Sequence, residues 1–547
     1  MTIDRARVVQ LLLIVAVVVG VGVDAFFAIV NFYPVAPHPS RGPKRYVVMQ
    51  LDEISAAWFQ ANILDDFNDE ADANLTVLRV DDEEQLQSAA ADARKQGKDV
   101  VLVALPVTQL GRAVDTRLVQ PFEGAIAGKQ IAADFAGLGD KLLASGKLDG
   151  KQYFLPRMTV LDVAVFRVSK VRDAVLHWSV LRPQIDAALK RVNGHGLPDG
   201  YELSLSPDRW DAYDVFVMAY YWANRSYGGQ PARPRIAHRV GDQIDGQQDI
   251  AASIYRFGGS DATFATTDSR AALDYFQWEA LFRAEGLYPD KMYAADEPFD
   301  DEAVIDGLQK GDIFLAPIDA LEAFKLHGGS HVGALPHVDD PGDLEFTALP
   351  SAASLALDPK GQPVRSNPSF SFREDWVWAL AAGAGAPDIA YRFVSFVWRP
   401  EIHARECEGL GMLPLHPEVV AQRVSRFRLD WMSHVFDAGL LQAGRGEQVP
   451  AALVGKGLGS VYAQLWTKIV AGGVPPAPED AIAEILRKPP APKPLAIETA
   501  AAADGSAAAT APEPADDTAI VRASDELEDW ETDAVIQMRD AGTGGHP

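Results

Sequence analysis

The sequence predicts an α/β protein, because continuous apolar runs of strand length alternate with amphipathic helical stretches from Tyr46 onward. Two features frame that body. An apolar N-terminal run predicts a transmembrane helix, and a Pro/Ala/Glu-rich C-terminus predicts a disordered tail.

Arg5 and Arg7 precede an apolar stretch from Val8 to Gly22, which resumes after Asp24 as Phe26-Phe27-Ala28-Ile29-Val30. A bilayer-crossing helix needs about 20 mostly apolar residues, and residues 1–33 supply them. The N-terminal positive charges would hold that end in the cytoplasm and send the rest across. A cleaved signal peptide, with Val23-Asp24-Ala25 as its small-residue site, is the alternative. A lipoprotein anchor needs a Cys just after the apolar run, and the one Cys of the chain is Cys407. Residues 34–45 (PVAPHPSRGPKR) form a Pro-rich linker with a reach of about 40 Å.

Within the body, Tyr46 to Leu51 predicts a buried strand and Ser55 to Glu70 an amphipathic helix. Leu75 to Val80 predicts a second strand, Glu83 to Gln96 a helix, and Val100 to Leu105 (VVLVAL) a strand covered on both faces. Lys151 to Pro156 and Leu161 to Phe166 suggest two short strands separated around Arg157. Trp210 to Asn224 is an aromatic-rich helix, and another starts at the capping residues Thr267-Asp268-Ser269. Pro387 to Trp398 is a helix opened by Pro, with Ile389, Phe393, Phe396 and Val397 as its buried stripe. Asp339 to Phe372 is dense in Pro, Gly, Ser and Asp, which predicts an extended loop or insertion. A last short helix is expected at Glu479 to Lys488, and in the tail Ser524 to Arg539 suggests either a solubilising terminus or an acidic docking peptide.

With 547 residues and 48% hydrophobic content, the chain can bury substantial cores. A single Cys excludes an intrachain disulfide, so packing must stabilise it even in an oxidising compartment. The formal charge of −26 argues against nucleic-acid binding, which needs clustered Lys and Arg. From Pro475 to Pro547, 15 acidic residues face 5 basic ones, so much of the excess sits in the tail.

Signatures of catalysis are missing. Ser260 and Ser330 each lack one Gly of a G-x-S-x-G elbow and Ser460 lacks both, and neither H-E-x-x-H nor a Walker A motif occurs. Gly455 to Ser460 is Gly-rich without phosphate-loop spacing. His327, His331 and His337 lie in a Gly-rich stretch with no helix to set metal-ligand spacing, so they are taken as loop histidines. No metal, cofactor or enzymatic activity is expected. A secreted hydrolase using two carboxylates is a further class, but no pair is singled out for that work.

An ordered series of passages carries a family likeness. It begins with Asp149-Gly150-Lys151-Gln152-Tyr153-Phe154-Leu155-Pro156 followed by LDVAVFRVSKV, then His177-Trp178, then Phe257-Gly258-Gly259. It continues with the helix Asp268 to Glu285 leading into Gly286-Leu287-Tyr288-Pro289-Asp290, then Ala303 to Phe314 (AVIDGLQKGDIF) and Gly333-Ala334-Leu335-Pro336. Trp378 to Pro400, Glu408 to Pro414 and Pro478 to Ile482 complete it. In this order the passages resemble the extracellular solute-binding proteins of family 1, the maltose-binding type that feed ABC importers, over Tyr46 to Lys488.

The resemblance implies a two-lobe periplasmic-binding-protein-like fold of type II, with strands crossing between lobes near Pro156 to Val160, within Pro336 to Trp376, and after Pro414. It divides the chain into lobe 1 (46–157 and 373–414), lobe 2 (158–338 and 415–488), an insertion at the hinge (339–372) and a tail (489–547). It implies a non-enzymatic binder of a small polar solute, by default a sugar or oligosaccharide, with ABC permease subunits and the membrane as partners. The body would face the periplasm from a single-pass anchor in a bacterial inner membrane, or be released there if the N-terminal segment is cleaved. A non-transporting sensor or scaffold with a degenerate cleft, recruiting a partner through its acidic tail, is the alternative.

Positions that the resemblance places near a ligand are Asp52, Glu53, Thr108, Gln109, Arg157, Trp210, Tyr213, Asp319 and Tyr462. Each has a structural reading beside the functional one. Asp52 and Glu53 suit helix capping, Trp210 and Tyr213 share a helix with Phe216, Tyr220 and Tyr221 that suits a core, and Arg157 suits a carboxylate partner. Sugar-binding members often carry a Trp where Ala316-Pro317-Ile318-Asp319 has Ile, and Pro106-Val107-Thr108-Gln109 lacks an acid beside an aromatic.

Overall fold

A computed structural model of the chain describes residues 42–80, 85–124, 126–135, 143, 146–227, 230–231, 234–241, 244–258, 270–294, 299–326, 341–426, 434–439, 447–448 and 458–471. The expected anchor at 1–33, most of the linker, the three loop histidines, the helix at Glu479 and the tail lie outside these residues. Among the described residues no helix is long and apolar enough to cross a membrane.

The first body is built on β1 (Arg45–Gln50), β2 (Leu75–Val80), β3 (Asp99–Pro106) and β4 (Phe154–Leu161). The chain then enters a second body with β5 (Val163–Arg167), β6 (Arg235–Ile236), β7 (Ile313–Ile318) and β8 (Leu344–Thr347). It returns to the first as β9 (Phe372–Leu380) and β10 (Leu413–Pro414), and β11 (Glu447–Gln448) pairs with the start of β9. The first sheet has the order β10-β4-β9-β3-β1-β2, and the second β6-β7-β5-β8.

β1 is parallel to β2 and β3, and β9 lies antiparallel between β3 and β4, so β4 runs with β3. β3 ends at Pro106, opposite Trp376, whereas β4 and β9 continue pairing to Leu161 and Arg373. That overhanging pair is the connection to the second body. One residue later, the Asp162 amide donates to Ser371 Oγ at 3.1 Å, joining the outgoing and returning segments.

The first sheet is covered on both faces, which is why VVLVAL is continuous rather than alternating. Val47 and Met49 of β1 join one apolar cluster with Phe59, Phe67, Trp378 and Phe393, while Val48 joins another with Val103, Leu105 and Val377. The second body holds a larger cluster in which Tyr213, Phe216, Trp278 and Phe282 interlock.

Two expectations need revising in detail. Arg157 does not separate two strands but lies inside β4, at a bulge where the register slips between Trp376 and Val377. The extra residue lets its guanidinium turn inward, 4.5 Å from the Trp378 ring centroid, with Nε donating to Glu406 Oε1 at 2.8 Å. The Asp339 to Phe372 stretch also contains sheet structure: β8 pairs antiparallel with β5 through Leu344, Glu345, Phe346 and Thr347. Leu344 and Phe346 are buried there.

Candidate functional site

Beside the crossing, the second body contains a cavity of about 130 Å³. Three helices shape it. α1 (Ala212–Asn224) starts at Asp211, whose carboxylate accepts the Tyr213 and Asp214 amides in a capping box. α2 (Ile244–Arg256) presents Asp249, Ala252, Ser253 and Arg256 to the cavity, the spacing of a single helical face. α3 (Arg270–Ala284) contributes Tyr275, Trp278, Glu279 and Phe282. Asp162 from the crossing, Pro317 at the end of β7 and Ser351 after β8 close the ring.

The walls are aromatic and the polar groups few, as in most small-molecule sites. Glu279 is held by three donors: Tyr288 Oη to Oε1 at 2.8 Å, Trp466 Nε1 to Oε2 at 2.8 Å, and His238 Nε2 at 3.2 Å. Nδ1 of His238 faces the Arg239 carbonyl at 3.0 Å, so an imidazolium can donate from both nitrogens. Burial disfavours that cation, but Glu279 outweighs it and holds His238 above its usual pKa. Trp278 is fixed by its indole donating to the Ala353 carbonyl at 2.7 Å.

Two polar atoms on this lining have no partner. The Nε of Arg256 and the hydroxyl of Tyr275 are sealed from solvent and make no hydrogen bond. Arg256 donates from Nη2 to Ser253 Oγ at 2.7 Å and from Nη1 to the Pro350 carbonyl at 3.4 Å. Burial lowers the pKa of Arg256 and lifts that of Tyr275 well above the phenol range. Orphaned buried donors each cost roughly 1–3 kcal/mol.

Behind the cavity, Arg239 is buried among four carboxylates. Asp249 takes a bidentate contact, Asp162 lies at 2.7 Å, and Asp301 and Glu322 at 3.5 Å. One guanidinium cannot neutralise them all. Burial first, with Asp249 and Asp319 adding to it, pushes the Asp162 carboxyl up to about 7 against the pull of Arg239. Glu322 is raised as well, chiefly by burial.

No protein-family model matches the sequence, and no curated protein sequence does either. Solved structures do match in three dimensions. Maltose-bound MalE3 of T. maritima superposes with a TM-score of 0.57 at 11% identity, over 81% of this chain and 98% of that one. The GacH receptor of Streptomyces glaucescens, described unliganded and with acarbose, gives 0.55 at 14% identity, over 82% and 97%. The cyclic alpha-maltosyl-1,6-maltose binding protein of Arthrobacter globiformis gives 0.55 at 14%, over 82% and 98%. The chain has the two-lobe solute-binding fold.

Within that fold the expected ligand positions separate into groups. Asp52 and Glu53 follow β1, and Thr108 and Gln109 follow β3, so all four lie on the edge of the first sheet from which β4 and β9 cross. Asp52 also caps its helix, accepting the Ser55 amide at 2.8 Å and the Ser55 hydroxyl at 2.5 Å. Asp319 follows β7 and forms a reciprocal cap with Glu322, each amide donating to the other's carboxylate at 2.8 Å. Arg157 is engaged with Glu406 inside the first body. Trp210 packs edge-on against Phe166, and Tyr213 donates to the Ser354 and Leu355 carbonyls. Tyr462 is likewise buried. None of the nine lines the cavity.

The cavity's own polar groups, Asp162, His238, Asp249, Arg256, Tyr275 and Glu279, were not singled out by the sequence. One signal was available: Asp249 and Arg256 place two charges on the stripe of α2 that also carries Ala252 and Ser253.

Proposed function

We propose that this protein is an extracytoplasmic solute-binding protein that closes two lobes around a small polar solute and delivers it to an ABC-type importer. The observation that supports this reading is the two-lobe fold shared with solved solute-binding proteins over 81–82% of the chain, together with an aromatic-walled cavity in the second lobe beside the crossing. A sugar is the leading class of solute, in keeping with the maltose and acarbose named for the structural neighbours. We divide the chain into a first lobe of residues 46–161 and 372–414 and a second of residues 162–371 and 415–471. Closure needs only that the solute bind the closed arrangement better than the open one. Residues 8–33 would tether the body beside its permease and raise its local concentration there.

Calorimetric titration of the full chain against sugars, polyols, sugar acids and amino acids tests the binding role. Saturable binding should raise the unfolding free energy by about 2.7 kcal/mol at a hundredfold excess over Kd. Trp278→Ala, which removes a cavity wall, should weaken binding tenfold or more. A chain that binds none of these solutes is not a transport receptor. Extraction of membranes with alkali tests the tether, since a peripheral or released chain would leave the pellet.

A further inference from the structure

The charged side chains around the cavity are already engaged with one another. Asp162 and Asp249 are bound to Arg239, and Glu279 to His238, Tyr288 and Trp466. Arg256 donates to Ser253 Oγ and the Pro350 carbonyl, and those three carboxylates stand on the same lining to balance its charge. Its Nε and the Tyr275 hydroxyl are sealed, out of a guest's reach. A buried water needs two to four polar partners, and a charged guest needs an unspent counter-charge. Among the described residues, the side chains of the lining leave little for either.

What the lining does offer is aromatic surface. The Trp278 and Phe282 rings lie 5.7 Å apart, centre to centre, and Tyr288 meets Phe282 edge-on at 5.5 Å and 88°. Ile236 and Leu315 extend the wall with aliphatic carbon. The volume of about 130 Å³ is close to the ~150 Å³ of an apolar cavity that stays dry and takes up one benzene ring. Left empty, such a space deprives its walls of dispersion contacts. A flat ring restores them, and adds the offset and edge-on arrangements that aromatic pairs prefer.

We propose that the cavity is a subsite for one uncharged aromatic ring the size of benzene, either a free arene or the ring of a larger solute whose polar remainder lies outside the cavity. In the second case this rests on the solute-binding reading above, and it says which part of the solute the second lobe grips. Asp162, whose amide joins the crossing segments through Ser371, is on the lining, so a ring held there keeps its substituents near the lobe junction.

The test is calorimetric titration of the full chain with phenol, cyclohexanol, benzamide, benzoate, 2-naphthol and phenyl β-glucoside. Phenol should bind one to one, and about threefold or more tightly than cyclohexanol, the margin expected of aromatic contacts. Benzamide and benzoate match in size, so tenfold tighter binding of benzamide isolates charge in the wild-type protein without any substitution. 2-Naphthol carries a second ring and should bind at least tenfold more weakly than phenol. Ala252→Leu puts three more carbons into the cavity and should weaken phenol binding tenfold or more, with melting curves establishing that the variant folds. Phenyl β-glucoside binding more tightly than phenol identifies the ring as part of a larger solute, and the reverse order identifies a free arene. Absence of phenol binding would overturn the proposal. So would cyclohexanol or 2-naphthol binding as well as phenol, benzoate binding as well as benzamide, or a folded Ala252→Leu protein binding phenol unchanged. None of these results touches the solute-binding reading, which stands or falls on its own panel; phenol binding beside a silent panel would remove that reading and leave an arene site.

Discussion

Replacing Asp162 with Asn should flatten the pH dependence of stability in the neutral range. The native state holds the Asp162 proton up to about pH 7, whereas an unfolded Asp releases it near its ordinary value, around 4. Over that window the folded protein binds more protons than the unfolded one. The resulting stabilisation is complete below the unfolded pKa and disappears as pH rises through 7. Between pH 6 and 8 one such site loses on the order of 1 kcal/mol. Asp214 is pushed up to about 7 by burial and by Asp211, so it contributes a second loss of the same sign and size. His238, raised despite burial because of Glu279, also loses its contribution on going alkaline. His403 is opposite: burial, His416 and Arg157 push it down to about 3, so its contribution falls away only on acidification below about 6.5. Urea unfolding at pH 6, 7 and 8 should therefore show wild-type stability declining by about 2–3 kcal/mol, and the Asp162→Asn protein declining by about 1 kcal/mol less. A variant with the wild-type slope, or a wild type that gains stability from pH 6 to 8, refutes the assignment of the proton to Asp162.

Three further outcomes follow from contacts in the first body. Glu406→Ala should cost about 3–5 kcal/mol in urea unfolding by stranding the buried Arg157 charge, and Arg157→Met with Glu406→Leu should recover most of that loss. Gly409→Ala should destabilise by about 1–3 kcal/mol, because a Cβ there would stand 1.9 Å from Trp58 Cη2; pairing it with Trp58→Ala should relieve the clash, and equal losses in single and double variants would contradict it. Cys407 is fully buried and its thiol pKa is raised, first by burial and then by Glu406, so a thiol reagent should label native protein only as fast as it unfolds.

The sheet strands were the most legible part of the chain, since a strand covered on both faces writes its burial into every residue, as Val100 to Leu105 does. The helix opened by Pro387 was legible because its starting chemistry is local, and the one following Trp210 because of its aromatic run. For Arg157 the need for a carboxylate partner was legible, but its place inside a strand and the identity of that partner were not, because Glu406 is far away along the chain. The cavity was hardest. Its polar groups come from the crossing, from two helices and from a loop, and Tyr275, Trp278 and Phe282 have the spacing of an ordinary buried stripe. Only folding distinguishes a wall from a core.

The central position of β9 constrains how the molecule is made. It is wedged between β3 and β4, yet the ribosome produces it only after nearly all of the second body. Until then two neighbouring strands of a hydrophobic sheet have open borders, a template for pairing with other nascent chains. Such late, distant zippering is slow. A product cut short before Phe372 would lack the middle of its first sheet, and folding of the chain would have to outpace its aggregation or rely on a holding chaperone.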